Sequence, residues 1–195
     1  MEQRREQLLD AALAVIVHEG CERLSIDAVA KRAQVARSVV YGAFDDLGVL
    51  LGALLDREQS RAFAALLATL PAGDRLRDPA EFAAQTVRGM SSLVRADPDT
   101  WQLILLTPAT MPAVVRDRVE TDRERFRQGV ARWLATVTAD RGDSELDPDL
   151  LAHALVACAE HFGRTALSDP DRFEPAHVAA QLQLLLRNLW PAPRR

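Results

Sequence analysis

Two stretches of the chain carry residues whose types and spacing could do chemistry. Cys158 and His161 stand three apart, on one face of a predicted helix. That pair could bind a metal or act as nucleophile and base. Both lie within ALVACAEHF, an apolar run that reads better as an interface. The chain has no Gly-rich phosphate loop, no HExxH and no clustered carboxylate pair, so the sequence points away from an enzyme, and no metal or cofactor is expected. The second stretch runs from Ser25 to Phe44. A two-turn helix, a turn at Gln34-Val35-Ala36 and a second short helix follow one another. Ile26, Val29, Ala30 and Ala33 face inward on the first helix, and Val35 and Val40 plug the angle between the two. This is a helix-turn-helix, in which one helix braces and the next can enter a DNA major groove.

The elements that must hold this unit are legible from punctuation and period. Acid-proline pairs recur as Asp78-Pro79, Asp97-Pro98, Asp147-Pro148, Asp169-Pro170 and Glu174-Pro175. Asp accepts the unbonded amide hydrogens of a first turn, and proline has none to leave unbonded, so several helices begin at these pairs. Between them apolar residues repeat at helical spacing. The expected fold is all-α with about nine helices: residues 2–19, 26–33, 37–43, 46–70, 79–96, 98–106, 112–139, 148–167 and 175–189. Leu9, Ala12, Leu13 and Ile16 form the buried face of the first, which Gly20 ends. The fourth is long enough to link a head, residues 1–47, to a body, residues 48–195.

The 195 residues are 48% hydrophobic and 27% charged, ordinary for a globular chain, and no run is long and apolar enough for a membrane span. The charged start has no signal-peptide layout. Two cysteines make no disulfide framework, and the expected compartment is the reducing cytoplasm. Net charge is −4, and the head carries six basic against eight acidic residues, a low balance for a nucleic-acid reader.

The last two predicted helices are apolar on more than one face, so each needs a second cover. Leu151, Leu155, Cys158 and Phe162 form one stripe, and Val178, Leu182, Leu185 and Leu189 form another. A symmetric homodimer with a four-helix interface is expected.

Residues 4–55 resemble the N-terminal domain of TetR-family transcriptional repressors. The matching residues are RREQLLDAAL, Gly20, Ser25-Ile26, Val29-Ala30, Ala33, Val35, Val40-Tyr41, Phe44 and Leu50. The resemblance implies that Arg37, Ser38 and Gly42 face base edges, with Arg37 suited to guanine. It implies that Val39 touches a thymine methyl or sugar edge, that Tyr41 bonds a phosphate, and that Ser25 caps a helix and offers a phosphate contact. It also implies a helical body that dimerises and binds a small, mainly apolar effector, whose release of a palindromic operator makes the protein a regulator. Candidate effector-wall residues are Phe63, Phe82, Met90, Trp101, Leu105, Met111, Phe126, Trp133 and Phe162. Three departures stand out. Gln34 replaces a usual glycine, Ala36 a usual polar cap, and Leu47 a usual phosphate-binding lysine. The last, with Asp45 and Asp46 beside it, implies weaker, narrower DNA binding than is usual in the family, or backbone contact that relies on Arg4, Arg5, Lys31 and Arg32. The alternative is a helical binding or scaffolding protein with a degenerate head.

Overall fold

A computed structural model describes residues 2–69, 78–106, 113–141 and 147–189. Among these, nine α-helices and one short 3-10 turn account for the regular structure. They are α1 (Glu2–Glu19), α2 (Ile26–Arg32), α3 (Arg37–Tyr41), α4 (Leu47–Thr69), α5 (Pro79–Ala96), α6 (Pro98–Leu105), α7 (Ala113–Arg141), α8 (Pro148–Ser168) and α9 (Pro175–Leu189). The all-α reading holds. The 3-10 turn at Cys21–Arg23 is the element that the helical period did not show, because three residues are too few to display one.

Contacts group the chain into two compact units, residues 1–63 with 99–120, and residues 64–98 with 121–195. The first unit therefore takes in more than residues 1–47. Its core is built from Leu8, Leu9, Ala12 and Ile16 of α1, Ile26, Val29 and Ala30 of α2, Val40, Phe44, and Leu50, Leu51, Leu54 and Leu55 of α4. Leu103 of α6 and Val119 of α7 join the same cluster. The buried face of α1 is wider than the sequence suggests, since Leu8, Ala11 and Val15 are buried and Leu13 only partly so. Gly20 ends α1 with φ of 97°, a left-handed value that glycine adopts without penalty. Between α4 and α6, Glu58 is fully buried and meets Thr100, while Arg57 reaches Glu6 and Asp10 of α1.

In the second unit, α5 packs against both α8 and α9. Asp78 and Asp147 cap α5 and α8 by accepting from the first-turn amides, with Pro79 and Pro148 at the first helical positions, as the punctuation predicts. Ala84 and Val87 of α5 meet Val178 and Ala179 of α9, with Phe162 and Leu182 packed against them. Val130, Leu134 and Val137 of α7 meet Ala152 and Val156 of α8, backed by Leu151 and Leu155.

The two stripes assigned to a dimer contact are thus largely turned inward. Val178 is buried, and Leu151, Leu155, Phe162 and Leu182 pack on the unit's own clusters. Cys158 and Leu185 face outward, and the Leu189 side chain lies outside the described residues. The outward faces are carried by Leu150, Ala154, Ala157, Cys158 and His161 on α8, and by Leu184 and Leu185 on α9. Both helices are apolar on two sides, so periodicity alone could not tell which side the protomer covers.

Candidate nucleic-acid interface

The Ser25 hydroxyl accepts from the Ala28 amide at 3.1 Å and starts α2, the capping role expected of it. α2 ends in a Schellman turn. The Val35 amide donates to the Ala30 carbonyl at 3.0 Å and the Gln34 amide to the Lys31 carbonyl at 3.2 Å. The residue between them must take left-handed backbone, and Gln34 does so with φ of 56°. It is the one non-glycine residue with positive φ among the described residues, at the position where the sequence pattern expects glycine. α3 then starts from Ala36, which makes no side-chain cap, as the sequence implied.

Two residues of α1 hold this unit in place. Arg5 lies over the Phe44 ring, 4.2 Å from its centroid, and donates to the Ala43 carbonyl at 2.9 Å. Gln7 donates to the Ala33 carbonyl at 3.0 Å, just before the turn. Arg5 is therefore engaged inside the head, and this corrects its expected place among free phosphate contacts. The cation and the ring packing were legible as residue types but not as partners, because they lie 39 positions apart in the sequence.

The outward side of α3 presents Arg37, Ser38, Tyr41 and Gly42, all exposed, with Val39 half-buried. Tyr41 is 49% exposed. Val40 and Phe44 on the opposite side are buried. Arg37 Nε stands 2.9 Å from Asp27 Oδ1 of α2, an ion pair. The Asp46 carboxylate accepts from the Val49 amide at 2.8 Å and caps α4. Arg4 bonds Gln7, Arg32 stands 4.0 Å from Glu19, and Lys31 and Arg23 are exposed with no ion pair among the described residues.

Residues 8–54 match the family described as bacterial regulatory proteins, tetR family. That match covers residues 8–54, the helix-turn-helix unit and the start of α4. No curated protein matches the chain. Among solved structures, a TetR-like transcriptional regulator from Rhodococcus sp. RHA1 shares 24% identity and a TM-score of 0.74, with 96% of each chain covered. The fatty acid degradation regulator FadR from Bacillus halodurans shares 17% identity and a TM-score of 0.73, covering 94% of each chain. AibR, solved with isovaleryl coenzyme A and operator DNA, shares 17% identity and a TM-score of 0.70, covering 93% of this chain and 97% of its own. These identities show a shared fold along nearly the whole chain.

The candidate effector residues scatter. Phe82, Met90, Trp101 and Leu105 are buried. Phe82 and Trp133 stack with centroids 4.1 Å apart, and Phe126 and Trp133 back the α7–α8 cluster. Phe63 is exposed, and Met111 lies outside the described residues. The second unit has a shallow recess open to solvent. It is lined by Val87, Ser91 and Arg95 of α5, by Phe162, Thr165 and Ala166 of α8, and by Asp169, Pro170, Phe173, Pro175 and Val178. Of the nine candidates only Phe162 lines it. Among the described residues, no group of three or more His, Cys, Asp or Glu side chains could hold a metal, and no helix is long and apolar enough to cross a membrane.

Proposed function

We propose that this protein is a ligand-responsive transcriptional regulator of the repressor type. Residues 1–47 bind DNA, and residues 48–195 bind a small, mainly apolar effector and pair two copies of the chain. The observation that carries this reading is the open row on α3, Arg37, Ser38, Tyr41 and Gly42, backed by the buried Val40 and Phe44. Such a row has polar and aromatic groups suited to base edges and phosphate on one side, and a rigid seat on the other.

A homodimer built on the outward faces of α8 and α9 sets two such rows about 34 Å apart, one DNA turn, and reads a palindrome. The effector, held by the body, favours a dimer with a different spacing. A hundredfold loss of operator affinity needs about 2.7 kcal/mol of differential effector binding. The protein works in the cytoplasm. AibR, whose fold the chain shares, was solved with both operator DNA and an acyl coenzyme A, so the architecture accommodates both kinds of ligand.

The test is selection of bound fragments from genomic DNA, followed by a salt titration of the best one. A palindromic fragment whose binding weakens with salt, and whose sequence preference relaxes in Arg37→Ala, is the expected result. Failure to enrich any sequence replaces this reading with that of a helical binding protein carrying a degenerate head, which the excess of acid in the head would then explain.

A further inference from the structure

Asp27 is an acid in the first turn of α2, on the side of the head that faces α3. Ser25 already caps that helix, so Asp27 is not needed there. Its one ion pair is the 2.9 Å contact with Arg37 Nε, and the two side chains are 64% and 60% exposed. An ion pair this open adds little to stability. What it does is geometric. A guanidinium has one N–H on Nε and four on its two terminal nitrogens. With Nε against Asp27, the two terminal nitrogens are the pair of donors left for another partner.

We propose that Asp27 is a specificity-determining residue, which holds Arg37 end-on so that α3 reads a guanine in the major groove. The inference rests on the operator-binding reading and names what that site recognises. Guanine presents two adjacent acceptors, N7 and O6, to the major groove. Adenine pairs an acceptor with a donor there, cytosine offers a donor, and thymine one acceptor beside a methyl. A fork of two donors matches the first pattern alone. The carboxylate acts a second time through charge. It neutralises Arg37, which lowers the pull of phosphate on a long, flexible side chain and leaves base contact as the better option. A free Arg37 could instead settle on the backbone, where it carries no sequence information.

The test uses the full-length protein and the fragment that it selects. The position read by Arg37 is the one at which Arg37→Ala loses base preference. At that position guanine is exchanged for the other bases and for 7-deazaguanine, which lacks the N7 acceptor. The wild type is expected to prefer guanine by about tenfold or more, and to lose most of that preference with 7-deazaguanine. Asp27→Asn is expected to bring the preference to within about twofold, while its affinity for random DNA rises and its melting temperature stays unchanged. An Asp27→Asn variant that keeps the wild-type preference overturns the proposal, as does a base other than guanine at that position. A wild type that selects no sequence overturns the operator reading itself, which separates that failure from failure of the role given to Asp27.

Discussion

Thr100 of α6 donates a 2.6 Å hydrogen bond to Glu58 of α4, and the Glu58 carboxylate has no exposure to solvent. The other oxygen of Glu58 accepts from Arg57 Nε at 2.6 Å. Arg57 in turn reaches Glu6 at 2.9 Å and Asp10 at 2.8 Å on α1. Burial works against the Arg57 charge, but Glu58 and Glu6 beside it more than offset this and raise its pKa. Three helices of the first unit therefore meet through one chain of polar groups, buried at Thr100 and Glu58, nearly buried at Arg57 and open at Glu6 and Asp10. Removing a single partner leaves a buried charge unmet. Thr100→Val is expected to lower stability by about 1–3 kcal/mol, and Glu58→Ala by about 3–5 kcal/mol. Urea unfolding of both variants and of the double variant gives the coupling. Additive losses would show that Thr100 and Glu58 do not act together.

The left-handed turn after α2 is strained by its side chain. Gln34→Gly is expected to stabilise the protein by roughly 1 kcal/mol, since a Cβ in left-handed backbone costs about that much. Adding a cap to α3 with Ala36→Ser is expected to contribute a further ~1 kcal/mol. Thermal melts of the two variants check both values, and a lower melting temperature for Gln34→Gly would refute the strain.

Cysteine labelling reports the outward face of α8. Cys21 is buried and its thiol pKa is raised, first by burial and then by Glu22, whereas Cys158 is exposed in the protomer. Native protein is expected to modify at Cys158 alone, with Cys21 reacting only on unfolding. If α8 faces meet in a dimer, dilution through the dissociation range accelerates Cys158 labelling. A rate independent of concentration would place the contact elsewhere.

Acid sensitivity has a local source on α7. The Glu124 carboxylate accepts from Arg127 at 2.7 and 2.6 Å and from Gln128 at 2.8 Å, and these bonds lower its pKa to about 2. A carboxylate with a lowered pKa stabilises the fold above its ordinary value, near 4.5, and loses that contribution as pH falls towards about 2. The contribution is small because Glu124 is 44% exposed and screened by solvent. Glu124→Gln is expected to reduce stability near neutral pH and to converge with the wild type at pH 2. Parallel stability curves over that range would remove Glu124 from the acid response.

The helices were legible because their ends are written in local chemistry. Asp78-Pro79, Asp147-Pro148 and Ser25 announce caps within three residues of where they act, and the structure starts helices there. The glycine usual at Gln34 was legible only through the family resemblance, and the backbone demand behind it appears in the structure as a positive φ. The partners were not. Arg5 with Phe44, Arg57 with Glu6, and Thr100 with Glu58 join residues 39 to 51 positions apart, and no local period encodes such pairs. Nothing local in the sequence pairs Asp27 with Arg37, ten positions on; the contact appears only with α3 beside α2. On α8 and α9 the apolar period was right, but both faces carried it, so the outward one emerged only once α5 and α7 had claimed the other.

The inward turn of Arg5 has a kinetic consequence. With Arg5 on Phe44 and Arg37 neutralised by Asp27, few cations of the head remain to release counterions from a phosphate backbone. Such a protein dwells briefly on random duplex and slides short distances before letting go. On the proposed operator-binding reading, it would find its site by repeated collision from solution. On that same reading, the number of copies, more than any scanning along the chromosome, would set how quickly an operator is found again after an effector leaves.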